Sequence, residues 1–176
     1  MAGPGDTAES LLAFLCSQAE KLIAGIHSME EGGSVAMGLC DPGKEVISAP
    51  LANKYLDSPE AVRVLETEVL PKLVGRFGIR ILGLLMISTW EPQFDVDRWL
   101  VPTAGQDTPR DAVRVHVISA SQQVHRWAFV DAVPTTGLLA VSPPWRALVE
   151  DGYETRLGTN FGPTLGALRG ADVTQP

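Results

Sequence analysis

"AVRVHVISASQQVHRWAFVDA", residues 112 to 132, alternates apolar and polar side chains on both sides of a short polar centre. Period-two alternation sends successive side chains to opposite faces of a strand. The stretch therefore predicts two antiparallel strands joined by a tight turn. With Gln122 and Gln123 at the tip, Val115 lies opposite Val130 and Val117 opposite Ala128, forming a core face. The other face then pairs Arg114 with Asp131, His116 with Phe129 and Ile118 with Trp127, and its polar members predict a half-exposed surface.

Working outward, Ile79 to Thr89 is apolar at nearly every position, as expected of a central strand covered on both faces. Ahead of it, Ser58-Pro59 opens a helix with proline at its first position, and Gly75 and Gly78 end it. Pro71 lies deep enough inside to force a kink or restart. Ser34 to Cys40 and Glu45 to Ser48 flank an Asp41-Pro42-Gly43 turn and read as a hairpin. Asp6, with Glu9 three residues on, predicts the start of a helix over about Thr7 to Met29. Its apolar stripe is Leu12, Leu15, Ala19, Leu22, Ile23, Ile26 and Met29.

Beyond the central hairpin, Pro134 to Gly137 predicts a turn and Leu138 to Val141 a strand, and "PPWRALVED" (143–151) reads as a short helix. Glycine recurs at 158, 162, 166 and 170, without the strand, lysine and helix of a phosphate loop. That segment reads as an irregular tail lying along the domain through Phe161 and Leu165.

These elements predict an α+β fold in the order α-β-β-α-β-β-β-β-short α. A mainly antiparallel sheet of about five or six strands carries a long N-terminal helix and a second helix, both mainly on one face. Residues 1–157 make one domain and 158–176 a Gly-rich C-terminal tail. The order is similar to that of profilin-like and roadblock-like adaptor domains, a likeness of topology with no shared motif.

Composition narrows the functional classes. At 176 residues, 45% hydrophobic and 20% charged, the chain suits one globular domain. A net charge of −7 with scattered basic residues argues against nucleic acid as a partner. Ten arginines to four lysines fit a high-GC bacterial or phage coding sequence. The longest apolar run, Ile79 to Ile87, is broken by Arg80 and is too short to span a bilayer, so no membrane partner is expected. The N-terminus has no basic, then apolar, leader pattern, and the expected location is cytoplasmic. Cys16 and Cys40 are too few for a disulfide framework and read as inert thiols.

Two groups of residues stand out. Trp90, Phe94 and Trp99 lie in a long stretch without periodicity (90–111), and Trp127 lies on the outer face of the hairpin. Aromatic side chains gathered this way suit a protein-contact surface. The leading expectation is thus a non-catalytic protein-binding or adaptor module, with self-association as a further use of the same surface. The second group is Arg114, His116, His125 and Asp131, a potential pocket for a small enzyme or ligand-binding domain. In the register above the two histidines stand too far apart to share a metal, so no metal or cofactor is expected. No catalytic residue is assigned; Asp95, Asp97 and Glu91 are acids in the long loop without a defined partner. A third reading is a structural subunit of a bacterial or phage assembly.

Overall fold

The computed structural model describes residues 7–40, 46–51, 59–89, 111–146 and 161–173. Helix α1 spans Ala8–Ile23, followed by a 3-10 turn over Met29–Glu31. Strands β1 (Ser34–Leu39) and β2 (Val46–Leu51) form the first hairpin. Helix α2 (Pro59–Val64), a π-helical turn (Leu65–Val69) and α3 (Leu70–Phe77) then run on without a break. Strands β3 (Ile81–Thr89), β4 (Asp111–Ser119), β5 (Gln123–Ala132) and β6 (Leu139–Arg146) follow, and α4 (Gly162–Val173) is last. The six strands form one antiparallel sheet in the order β2-β1-β3-β4-β5-β6. The α+β class and the expected order from the N-terminal helix through the last strand hold.

Each face of the sheet has its own core. Leu11, Leu15, Ala19 and Ile23 of α1 pack on Leu85, Val113, Val115, Val117 and Ala128. Gly83 lets α1 lie close: a Cβ there would sit 2.4 Å from Leu15 Cδ1. On the opposite face, Leu65, Leu70 and Val74 join Phe161 and Leu168 over Leu82, Leu84, Ile118 and Trp127. Helices therefore cover both faces rather than mainly one. With β4 central, every residue from Ala112 to Ile118 is buried, including those expected to be half-exposed.

Three further local expectations are corrected. The α1 cap is Thr7, whose Oγ1 accepts from Ser10 N at 3.1 Å while Ser10 Oγ accepts from Thr7 N at 3.0 Å. Pro143 to Arg146 continue β6 instead of opening a helix, because a residue before proline is driven toward extended backbone and an edge strand tolerates the missing N–H. The Gly-rich stretch is helical over Gly162–Val173, since Phe161, Thr164, Leu165 and Leu168 recur at helical spacing and bury one side. Its glycines face away: a Cβ at Gly162, Gly166 or Gly170 would meet nothing within 4 Å. At these three positions glycine is not required by close packing, and Gly158 lies outside the described residues.

Pro71 explains how α4 is held. Proline removes one helical donor and its ring crowds the carbonyl four residues back, and the chain responds with the π-helical turn just ahead of it. There Leu70 N–H reaches back five residues to donate to Leu65 O. The widened turn opens the Glu66 carbonyl to a neighbouring helix. Thr164 Oγ1 of α4 donates to it at 3.0 Å, in a buried setting. Thr164→Val keeps the side-chain volume and removes that donor. We expect a loss of about 1–2 kcal/mol in urea denaturation, the cost of losing a buried hydrogen bond. A change under about 0.3 kcal/mol would mean that the bond adds nothing to the docking of α4.

Gly78, at φ 62°, closes α3 in the left-handed conformation, and its N–H donates to Val74 O. Among the described residues no helix is long and apolar enough to cross a membrane.

Candidate functional site

The hairpin that decides the fold also builds the site. It closes two residues earlier than its sequence suggests: Ser119 N donates to Gln122 O at 2.8 Å, leaving Ala120 and Ser121 at the tip. Every cross-strand partner moves by four residues. Val115 faces Arg126 instead of Val130, and Arg114 faces Trp127 instead of Asp131. An even shift preserves parity, so the face of each side chain is as expected while its neighbour is not.

The consequence is that His116 and His125 are direct cross-strand partners. Their ring centroids lie 4.5 Å apart at 75°, and the two Nδ1 atoms face each other in a hydrogen bond. Such a bond needs one Nδ1 carrying its proton and the other bare. His116 is buried and His125 half-buried. Phe161 leans on His116 with centroids 5.8 Å apart, so the residue just ahead of α4 closes the face. Burial, then the charges of His125 and Arg114, hold the His116 imidazolium well below its ordinary range. Burial and Arg126 bring His125 down to about 4.

Two positions along the ladder, on the same face, stand Arg114 and Trp127. Arg114 is buried, and burial lowers its guanidinium to about 9, which leaves it charged at neutral pH. Trp127 has no exposed surface; its ring meets Phe129 edge-on at 5.1 Å, and the Arg146 guanidinium lies 5.1 Å over it. Among the described residues, Trp127 Nε1 has no acceptor. Glu66 and Thr164 are buried on the same side of the sheet, in the helices that cover it. Four of the five buried polar or charged residues described (Glu66, Arg114, His116 and Thr164) thus belong to this one interface.

No protein-family model, no curated protein and no solved structure matches this chain. The reading of the site rests on its chemistry alone.

Of the expected pocket, Arg114, His116 and His125 come together and Asp131 does not. Asp131 pairs with Ala140 at the far end of β5, is exposed, and accepts from Ser142 Oγ at 2.5 Å. Six residues of strand separate it from His125, roughly 20 Å at the rise of extended chain. Of the expected contact aromatics, Trp127 is a core residue, because α4 and the α2–α3 segment cover its face; Trp90, Phe94 and Trp99 lie outside the described residues. Glu91, Asp95 and Asp97 lie outside them too. Among the described residues no three His, Cys, Asp or Glu side chains converge as metal ligands. Cys16 is half-buried, and burial followed by Glu20 pushes its thiol up to about 11, far from nucleophilic at neutral pH.

Sequence reasoning missed Glu66 and Thr164. The spacing of Phe161, Thr164, Leu165 and Leu168 was the available signal for α4; nothing in the sequence marks Glu66 as buried. Chemically, the arrangement offers a fixed positive charge at Arg114, an indole N–H, and two imidazoles able to pass one proton between them.

Proposed function

We propose that this chain is a cytoplasmic ligand-binding domain that receives a small anion, a carboxylate or phosphate, at Arg114, Trp127, His116 and His125. One observation carries the reading: donors from two adjacent strands converge on one covered face, and the Trp127 indole N–H has no acceptor among the described residues. Buried donors ordinarily have partners, and one that does not calls for an explanation. Arg114 supplies the charge complement, and the neutral histidine pair offers a proton to an incoming oxygen.

The test is thermal unfolding with inorganic phosphate, acetate and citrate at matched ionic strength. At about a hundredfold excess over Kd, a bound anion stabilises by about 2.7 kcal/mol. For a chain of this size that raises Tm by about 5–10 °C. Trp127→Phe keeps an aromatic ring and removes the N–H, and is expected to cut the rise by more than half. A Tm that follows ionic strength alone, whichever anion is present, would sink the reading.

Self-association is a second reading, and the edge of the sheet favours it. Strand β2 is a terminal strand with alternate residues exposed, and Val46 at its start is 49% exposed. An edge strand presents unpaired backbone groups to a second copy. A native mass by light scattering that doubles with concentration, and reverts in Val46→Lys, would support it; a concentration-independent monomer would remove it.

A further inference from the structure

We propose that Arg146 makes the site selective for a doubly charged oxyanion, the phosphate group of a small phosphate monoester, over singly charged anions. This rests on the anion-binding reading above and extends it to the charge of the ligand and the residue that reads that charge.

The register sets three side chains in one row. Arg114 of β4 faces Trp127 of β5, and Trp127 in turn faces Arg146 of β6. Direct cross-strand partners share a face of the sheet, so a guanidinium stands on either flank of the indole. The indole N–H between them has no acceptor among the described residues. The two arginines differ in kind. Arg114 is buried and, like Glu66 in the covering helices, has interactions of its own within the fold. Arg146 is exposed at the end of an edge strand. Its guanidinium lies 5.1 Å from the centre of Trp127 and 5.4 Å from that of Phe129, and these ring contacts are its only side-chain interactions among the described residues. Asp131, on the same strand face, is four residues from Trp127, roughly 13 Å along β5, and accepts from Ser142 Oγ.

Ring faces hold an exposed guanidinium only weakly. A phosphate oxygen pair matches its planar fork and binds it far better. Arg146 is thus the charge free to respond to a ligand, while Arg114 is fixed. Because Arg146 lies over the indole from the open edge of the sheet, drawing it toward an anion also opens the way to the Trp127 N–H. One fixed cation suits a single negative charge; the second cation complements a second. A phosphate monoester carries about −1.5 to −2 at pH 7 on three acceptor oxygens, which suits two guanidiniums and one indole N–H.

Methyl phosphate and dimethyl phosphate test this, titrated by calorimetry into the full chain at about pH 7.5 and matched ionic strength. The first carries two charges there and the second one. Methyl phosphate is expected to bind at least tenfold tighter, the worth of one charge-assisted hydrogen bond. It should also shift the Trp127 indole N–H resonance, assigned by its loss in Trp127→Phe. In Arg146→Gln the ratio of affinities is expected to fall below about threefold, and Arg146→Lys, which keeps the charge without the fork, to restore part of it. Equal affinities in the parent, or a ratio that survives in Arg146→Gln and so reports ligand size, would overturn the selectivity and leave the anion reading standing. Binding of neither ligand would remove both. Should Arg146→Gln not fold, the parent decides alone. Between about pH 7.5 and about pH 5, methyl phosphate loses its second charge near about pH 6 and should weaken about fivefold, while dimethyl phosphate should not. A parallel response of the two ligands would overturn the selectivity.

Discussion

Trp127→Ala is expected to destabilise the protein by about 3–5 kcal/mol, read from the midpoint of urea denaturation at unchanged slope. Trp127 has no exposed surface, stacks edge-on against Phe129 and lies in the core that joins Ile118, Leu84, Phe161 and Leu168. Truncation leaves a cavity that the hydrogen-bonded strands on either side cannot close. The same substitution on an interface residue of the free protein would cost within about 0.5 kcal/mol. The result thus separates the core tryptophan described here from the exposed contact residue its sequence suggests. A small loss would mean that α4 does not cover the sheet, and the anion site would lose its enclosure.

Acid is expected to weaken the fold well before carboxylates titrate in bulk. His125 has a folded-state value of about 4, below the usual value near 6.5, so the native protein binds fewer protons than the unfolded chain in that window. Stability is therefore fully present above about pH 6.5 and falls as pH drops through the window, levelling off below about pH 4. The slope is about 1.4 kcal/mol per pH unit for one such ring, or about 3 kcal/mol in all. His116 is shifted in the same direction by burial and adds to the loss. Urea midpoints measured from about pH 7.5 to about pH 4.5 should fall steeply in the parent and markedly less in His125→Asn. A parent whose midpoint is flat to about pH 5 would show that water already reaches both rings.

Much of the fold was legible because it depends on local pattern. The alternation in residues 112–132 marked two strands and gave the right face to Val115, Val117, Ala128 and Val130. The continuous apolar run from Ile79 marked the central strand, and Pro71 announced the irregularity that became the π-helical turn. The misreadings have a common cause. A period of two is blind to even shifts, so a turn centred at Ala120–Ser121 rather than Gln122–Gln123 left the faces intact and exchanged every partner. The register read from the pattern keeps His116 and His125 apart, and the structure makes them neighbours.

The sequence by itself therefore determined the α+β class, the antiparallel hairpins and the parity of each strand, because these follow from backbone geometry and the spacing of apolar side chains. Tertiary structure alone decided that Trp127, Arg114 and His116 are buried. That depends on Phe161 and α4 returning across the sheet, a contact between residues far apart in the chain that no local period encodes.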